Sequence, residues 1–177
     1  MKKTPNADLG RISIEEFKSA HKIPVVLVLD NIRSMHNVGS SFRTADAFRI
    51  EKIILSGITA QPPHREIHKT ALGATESVDW EYQAEPIDAI MKLRSEGYQI
   101  ISVEQTIPHT SLEKLSVNSG NKYCLVFGNE VFGVSEDVIK ASDFCLEIPQ
   151  SGTKHSLNIS VSIGIVLWTF FEQLTYK

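Results

Sequence analysis

Residues 24–31 have the sequence PVVLVLDN, and this stretch decides the fold class. An unbroken apolar run from Val25 to Leu29 lies between Pro24 and the polar pair Asp30-Asn31. Apolar runs without polar alternation are typical of strands that are covered on both faces. The stretch therefore predicts a buried strand in a sheet with helices on both sides.

Similar runs recur along the chain and alternate with helical patterns. The further candidate strands are Ile53–Leu55, Val78–Tyr82, Tyr98–Val103, Tyr123–Phe127 and Phe144–Ile148. Helical patterns of about ten residues, such as 87–96, lie between them. This alternation predicts an α/β fold with a mainly parallel sheet and helices on both faces, in one domain over residues 23–177. Residues 1–22 are expected to form a short extension with a helical piece at residues 14–17.

Composition and charge narrow the class of protein. With 42% hydrophobic and 22% charged residues, the 177-residue chain resembles an ordinary soluble globular protein. The net charge of −3 argues against nucleic-acid binding by bulk electrostatics, although basic residues cluster locally. Cys124 and Cys145 lie in predicted strands and are expected to be reduced, as in a cytoplasmic protein. No signal peptide and no membrane segment are expected, because the N-terminus is polar and the longest apolar-rich run is too short.

Polar residues and glycines follow several of the predicted strands. In parallel α/β sheets, ligands bind at the carboxyl ends of the strands. The segments concerned are residues 31–43, 104–105, 128–130 and 149–158. They are therefore expected to meet at one edge of the sheet and to form a site.

Arg43 lies on a helix that is expected to begin near Asn37. Its neighbours on the helix surface are small: Gly39, Ser40 and Ala47. Small residues allow the close approach of either another backbone or a ligand, and a guanidinium binds phosphate or carboxylate in a bidentate way. On the residues alone, tight helix packing and ligand contact are both open interpretations.

Glu130 lies in a glycine-containing loop, residues 128–136, between a strand and a helix. Its carboxylate is expected to pair with Arg43 or to accept a substrate hydroxyl, and an exposed side chain in a simple turn is the alternative. Ser135 is the expected N-cap of the next helix.

The last helix, residues 159–171, is apolar around its whole circumference. Such a helix is expected to be buried on all sides, either inside the fold or in a subunit interface. The loop before it offers backbone donors and hydroxyls to a polar or anionic ligand, and the alternative is that Ser156 simply caps the helix.

Other functional motifs have little support. Residues 64–68, HREIH, lack the HExxH order and a third ligand at helical spacing, so no metal site is expected. Sequences of the GxGxxG, Walker A and GxSxG types do not occur.

Three separated motifs resemble those of one family. Residues 37–48 fit N-x-G-S-x-x-R-x-A-x-A-F, residues 125–135 fit L-V-F-G-N-E-x-x-G-V-S, and residues 148–160 fit I-P-x-x-G-x-x-x-S-L-N-x-S. In this order they resemble the SpoU, or TrmH-like, RNA ribose methyltransferases of the SPOUT superfamily, over about residues 24–172. Gln150 stands where many members have Met. We expect no long terminal extensions of the kind that some tRNA-specific members use to hold their substrate, which leaves the RNA target open.

The resemblance implies a C-terminal trefoil knot, S-adenosylmethionine as cofactor, RNA as substrate and a homodimer with its active site at the interface. The residues that match the family's catalytic positions are Arg43, Asn37, Glu130, Ser156 and Asn158. The segments implied in cofactor binding are Val103, Glu104, Gln105, Gly128, Asn129, Ile148, Pro149, Gln150 and Leu157. Candidate RNA contacts are Arg33, His36, Ser40 and Arg65.

The implied reaction is methylation of a ribose 2′-hydroxyl in tRNA or rRNA. Because arginine stays protonated at working pH, we expect Arg43 to orient the hydroxyl and a neighbouring phosphate, and the phosphate to help accept the proton. Two alternatives are a non-catalytic RNA-binding protein on the same scaffold and a flavodoxin-like signalling or nucleotide-binding domain.

Overall fold

The predicted buried strand lies inside a seven-stranded sheet in the computed structural model, which describes residues 1–5 and 8–176. The order across the sheet is β3-β2-β1-β6-β4-β7-β5, and each strand pairing is parallel. The strands are β1 (Ile23–Asp30), β2 (Ile50–Ser56), β3 (Trp80–Gln83), β4 (Tyr98–Val103), β5 (Thr110–Ser111), β6 (Lys122–Phe127) and β7 (Phe144–Glu147).

The α-helices of the described residues are α1 (Ile14–Ser19), α2 (Met35–Ala47), α3 (Arg65–Ala71), α4 (Ala74–Ser77), α5 (Pro86–Ser95), α6 (Glu136–Ala141) and α7 (Ile159–Tyr176). Helices α2 to α6 lie between these strands in the chain, α1 precedes the first strand and α7 follows the last. The α/β class, the parallel sheet and the strands predicted from apolar runs are confirmed. Helices α3 and α4 and the two-residue strand β5 were not predicted. The division into an extension, residues 1–22, and a domain, residues 23–177, stays a prediction.

Helices cover both faces of the sheet, as the apolar run in β1 predicted. Val25, Leu27 and Leu29 point to one face and pack in a core cluster with residues of α2, α3 and α7. Val26 and Val28 point to the other face and pack with residues of α5 and α6. Burial of β1 on both faces explains why its sequence has no polar alternation.

Gly39 lets α2 and α3 pack closely against each other. A Cβ atom at this position would overlap Thr70 Oγ1 and the carbonyl oxygen of Ile67, far inside van der Waals contact. Of the two interpretations for the small residues near Arg43, the structure therefore gives Gly39 the role of helix packing. Helix α2 also begins two residues earlier than expected, because Ser34 is its N-cap and accepts a hydrogen bond from Asn37 N.

Helix α7 is buried on one side only within this chain. Ile163, Val166 and Phe170 lie in the core, whereas Val161 and Trp168 are each 49% exposed. Of the two expected alternatives, burial on all sides inside the fold is therefore excluded, and burial in a subunit interface stays a prediction. By length and composition alone α7 would also suit a membrane span, although its inner side packs in the core of the domain.

The segment between β7 and α7 returns to the sheet edge at which β4 ends. The Gln105 side chain donates a hydrogen bond of 2.7 Å to the carbonyl oxygen of His155, which links the loop after β4 to the loop after β7. The trefoil knot itself stays a prediction.

Candidate active site

A cavity of about 450 Å³ opens where β4, β6 and β7 end and α7 begins. The loops after these parallel strands meet there, as expected for the carboxyl edge of an α/β sheet. Eight of the nine predicted cofactor residues line it: Val103, Glu104, Gln105, Gly128, Asn129, Ile148, Gln150 and Leu157. Pro149 lies between two lining residues but does not itself line the cavity. Their role in cofactor binding stays a prediction.

The loop after β6 is closed by its own backbone. Asn129 and Gly133 exchange two N–H···O hydrogen bonds of 2.9 Å, and Gly133 has a φ of +72°, a conformation that glycine adopts without strain. A Cβ on Gly128 would overlap the backbone of Gly133 and Val134. Glycine at position 128 therefore allows this loop to fold back onto the end of the strand and to form one wall of the cavity.

Glu104 brings a carboxylate to this wall. Its Oε2 accepts a hydrogen bond of 3.0 Å from Val134 N, and its Oε1 accepts one of 2.9 Å from Gln105 N. These bonds fix the side chain on the cavity surface, where a carboxylate can accept hydrogen bonds from ligand hydroxyl or amino groups.

Glu130 is bound to the start of helix α2 and does not pair with Arg43. Its carboxylate accepts hydrogen bonds from Arg33 N at 2.9 Å, Ser34 N at 3.0 Å and the Asn37 side-chain amide at 2.9 Å. Partial burial raises the pKa of this carboxyl, but the hydrogen bonds from Arg33, Asn37 and Ser34 lower it more, so the pKa lies below its usual value. Within one chain the carboxylate therefore serves these donors and does not pair with Arg43, which was one of its two expected partners.

Asn37 connects Glu130 to the start of helix α7. Its side-chain oxygen accepts a hydrogen bond of 3.3 Å from Asn158 Nδ2. Asn158 Oδ1 in turn accepts hydrogen bonds from Ser160 N and Ser160 Oγ, so Asn158, rather than Ser156, caps the helix. Ser156 is exposed and lines the cavity beside Asn158. Four of the five predicted catalytic residues thus lie together.

Arg43 lies apart from these four residues. It is six positions beyond Asn37 on helix α2, which corresponds to about 9 Å along the axis and roughly 240° around it. Its side chain is exposed and lines a second groove, on the side of the N-terminal residues. Within one chain, the structure therefore does not bring Arg43 to the cavity.

The four candidate RNA contacts lie along one side of α2 and at the start of α3. Arg33, His36 and Arg65 are exposed, and Ser40 is half-buried. His36 Nε2 lies 2.9 Å from Glu66 Oε2, and Lys69 Nζ lies 2.7 Å from Glu66 Oε1. Hydrogen bonds from Lys69 and His36 lower the pKa of Glu66. Among the described residues no group of three or more metal-ligating side chains occurs.

Asp30 is a buried residue that holds the end of the loop after β6, and sequence reasoning missed it. Its carboxylate accepts hydrogen bonds from Ser135 N at 2.8 Å, Ser135 Oγ at 3.0 Å and Asn31 Nδ2 at 2.7 Å. Ser135 precedes helix α6, as predicted, but its hydroxyl binds Asp30 rather than capping the helix. The available signal was a carboxylate at the end of an otherwise apolar strand.

The fold and this site define a class of α/β proteins with a ligand cavity at the carboxyl ends of parallel strands. The chain belongs to the SpoU rRNA Methylase family, whose model matches residues 24–168. The family resemblance predicted from the three motifs is therefore confirmed, and the flavodoxin-like alternative is set aside.

Named relatives and solved structures agree with this membership. The chain is 31% identical to an uncharacterized tRNA/rRNA methyltransferase of Borreliella burgdorferi, over 97% of this chain and 73% of the relative. It is 32% identical to the 23S rRNA (guanosine-2′-O-)-methyltransferase RlmB of Nitrosomonas europaea, over 84% of this chain and 56% of the relative. An AdoMet-bound rRNA methyltransferase from Sinorhizobium meliloti matches with a TM-score of 0.80 and 25% identity, over 91% of this chain and 61% of that one. The chain thus spans little more than half the length of two of these three proteins.

Proposed function

We propose that this chain transfers the methyl group of S-adenosylmethionine to a ribose 2′-hydroxyl of tRNA or rRNA. The observation that carries the proposal is the cavity at the ends of β4, β6 and β7, where Asn37, Glu130 and Asn158 form one hydrogen-bonded chain. The relatives named as tRNA/rRNA and 23S rRNA (guanosine-2′-O-)-methyltransferases support the reaction type and an RNA substrate, and the AdoMet-bound structure supports the cofactor.

The cavity fits a nucleoside cofactor in size and in chemistry. Its volume of about 450 Å³ lies in the usual range for small-molecule sites, about 300–1,000 Å³. Backbone groups around Gly128, Ile148 and Leu157 would hold the cofactor, and the Glu104 carboxylate suits its hydroxyl or amino groups. Bound S-adenosylmethionine supplies an electrophilic methyl group on a sulfonium sulfur.

The chain's own residues would orient the RNA and prepare the proton transfer. Arg43 would hold the 2′-hydroxyl and a neighbouring phosphate, and that phosphate would help to accept the hydroxyl proton. Glu130 was expected to accept a substrate hydroxyl, but we assign it a positioning role instead. Because its oxygens accept bonds from Arg33, Ser34 and Asn37, it fixes the start of α2 rather than taking up a proton.

A homodimer would complete the site, because Arg43 lies apart from the cavity of its own chain. We expect Arg43 of the partner subunit to reach the cavity. The apolar outer side of α7, with Val161 and Trp168 each 49% exposed, is the surface we expect the partner to cover. We also propose the C-terminal knot and a cytoplasmic location, in keeping with tRNA or rRNA as substrate and with two buried, unpaired cysteines.

Substitution of Arg43 tests the proposal. We expect wild-type protein to bind S-adenosylmethionine in calorimetry and to methylate bulk tRNA or rRNA, with 2′-O-methyl nucleotides detected by mass spectrometry. Arg43→Ala should bind the cofactor as the wild type does and lose methyl transfer. Arg43→Lys keeps the charge but not the planar fork, and should recover only part of the activity. Full activity of Arg43→Ala, or RNA binding without any methyl transfer by the wild type, would contradict the proposal.

A further inference from the structure

A second groove, of about 630 Å³, lies between the N-terminal residues and helices α2 and α4. Residues 9–14 and Phe17 form one wall, and the C-terminal half of α2 with residues 71–74 and Ser77 forms the other. None of the predicted cofactor residues lines it. The groove therefore differs from the cofactor cavity, and Arg43 is the predicted catalytic residue that it contains.

Positive charge dominates the groove. Arg11, Arg43 and Arg49 line it, and among its described lining residues Asp46 is the one that carries a carboxylate. That carboxylate already accepts a hydrogen bond from the Ser77 hydroxyl. Within the described part of the chain, none of the three guanidinium groups forms an ion pair with a carboxylate. In a chain of net charge −3, three unneutralised arginines in one groove are a local concentration of positive charge.

Arg49 is held in a conformation that rarely suits arginine. It follows the C-cap Phe48 of α2 and has a φ of +47°, in the left-handed region, where glycine is the usual residue after a helix. A non-glycine residue is strained there. Arginine therefore provides a property that glycine lacks at this position. That property is the positive charge that its side chain adds to the groove.

The arrangement of the arginines fits an extended polyanion. Arg43 and Arg49 are six residues apart on one wall, and Arg11 comes from the opposite wall. A guanidinium binds phosphate through two parallel N–H···O bonds. Since Arg43 is the residue proposed to contact the reacting ribose, a strand that is held in this groove would continue directly to the methylated nucleotide.

We infer that this groove binds the phosphates of the substrate RNA next to the methylated nucleotide, through Arg11 and Arg49 beside Arg43. The inference rests on the proposed function and assigns the N-terminal residues a part in RNA binding. A looped or single-stranded segment fits best, because sequence-specific RNA recognition mostly uses unpaired nucleotides. Arg11 and Arg49 thus join the candidate RNA contacts.

RNA binding by charge variants tests the inference. Arg11→Ala, Arg49→Gly and the double variant are compared with Lys140→Ala, which removes one charge from α6, far along the chain from the groove. Affinity for fluorescently labelled bulk tRNA and for rRNA fragments is measured by anisotropy at several salt concentrations. Each single variant should bind roughly three- to tenfold more weakly, and the slope of log K against log salt should fall by about 0.7 per lost phosphate contact. Lys140→Ala should behave as wild type.

Arg49→Gly separates binding from folding. Glycine relieves the left-handed strain, so this variant should melt at the wild-type temperature or higher while its RNA affinity falls. In methyl-transfer assays KM for RNA should rise while kcat at saturating RNA is kept.

Folded Arg11→Ala and Arg49→Gly proteins with wild-type affinity and salt slope would overturn the inference, even if all variants methylate RNA. Loss of RNA binding in these variants, in a protein that methylates no RNA, would instead support the groove and contradict the proposed activity.

Discussion

Replacement of Glu130 by Gln should loosen the start of helix α2. The carboxylate has two roles at once: Oε1 accepts bonds from Ser34 N and Asn37 Nδ2, and Oε2 accepts one from Arg33 N. Glutamine has the same shape but one acceptor oxygen. If that oxygen accepts the bonds from Ser34 and Asn37, the new NH₂ group faces the Arg33 N–H. Two donors then face each other, and no hydrogen bond forms between them.

The expected loss of stability follows from these three bonds. Loss of the charge-assisted hydrogen bond from Arg33 N is expected to lower stability by about 2 kcal/mol. Conversion of each of the other two hydrogen bonds to a neutral one is expected to lower it by about 1 kcal/mol more. Because Glu130 is exposed at the surface, water replaces part of the lost hydrogen bonding. We therefore expect the free energy of unfolding to fall by about 2 kcal/mol in total. For a chain of this length, that corresponds to a fall in Tm of about 4–8 °C.

The pH dependence makes this prediction specific to the carboxylate. The pKa of Glu130 is lower in the folded protein than in the unfolded chain, so its stabilising effect is present above the unfolded pKa, about 4.3, and disappears as pH falls through the folded pKa. Urea unfolding of wild type and Glu130→Gln should therefore differ by about 2 kcal/mol at neutral pH, and the two should converge as the pH falls below the unfolded pKa and through the lower folded pKa of Glu130. Equal stability at neutral pH, or a difference that stays constant with pH, would refute the reasoning.

Two other substitutions test the packing and the assembly. Gly39→Ala should destabilise the fold by about 1–3 kcal/mol despite a gain of about 1 kcal/mol in helix propensity, because the new methyl group overlaps Thr70 and the backbone of Ile67; a Tm equal to that of wild type would exclude the clash. Trp168→Lys places a charge on the apolar outer side of α7 and should give a monomer in light scattering that binds S-adenosylmethionine but has lost methyl transfer; a stable dimer with full activity would contradict the proposed interface.

Local sequence patterns predicted the main elements because burial imposes them directly. Strand β1 has apolar residues on both faces because α2, α3 and α7 cover one face and α5 and α6 cover the other. The strand order across the sheet has no comparable local signal. Helices α3 and α4 were missed because they have only seven and four residues, too short for a clear period. They are stabilised by packing, in the case of α3 through the close approach at Gly39.

The sequence predicted most residues of the site but only some of the contacts that they make. Motif order identified Asn37, Glu130 and Asn158, and the structure brings them together. The two backbone partners of Glu130, Ser34 N and Arg33 N, are 96 and 97 positions away along the chain, and no sequence pattern specifies bonds to a distant backbone N–H. Helical periodicity did separate Arg43 from the apolar side of α2. It had no information about the N-terminal residues that form the opposite wall of its groove.

Helix α2 begins beside the cavity at the ends of β4, β6 and β7 and ends at the second groove, so it physically connects the two proposed sites. The loop after β6 holds its first turn through Glu130, its last turns carry Arg43, and Arg49 follows its C-cap, both arginines lining the second groove. If both proposed sites are correct, a shift of the loop after β6 would therefore be transmitted through α2 from one site to the other. Any tightening of RNA binding by the cofactor must then be matched by an equal factor in cofactor affinity when RNA is bound, because such coupling is reciprocal. In a dimer completed by Arg43 of the partner subunit, the same helix would link the two active sites.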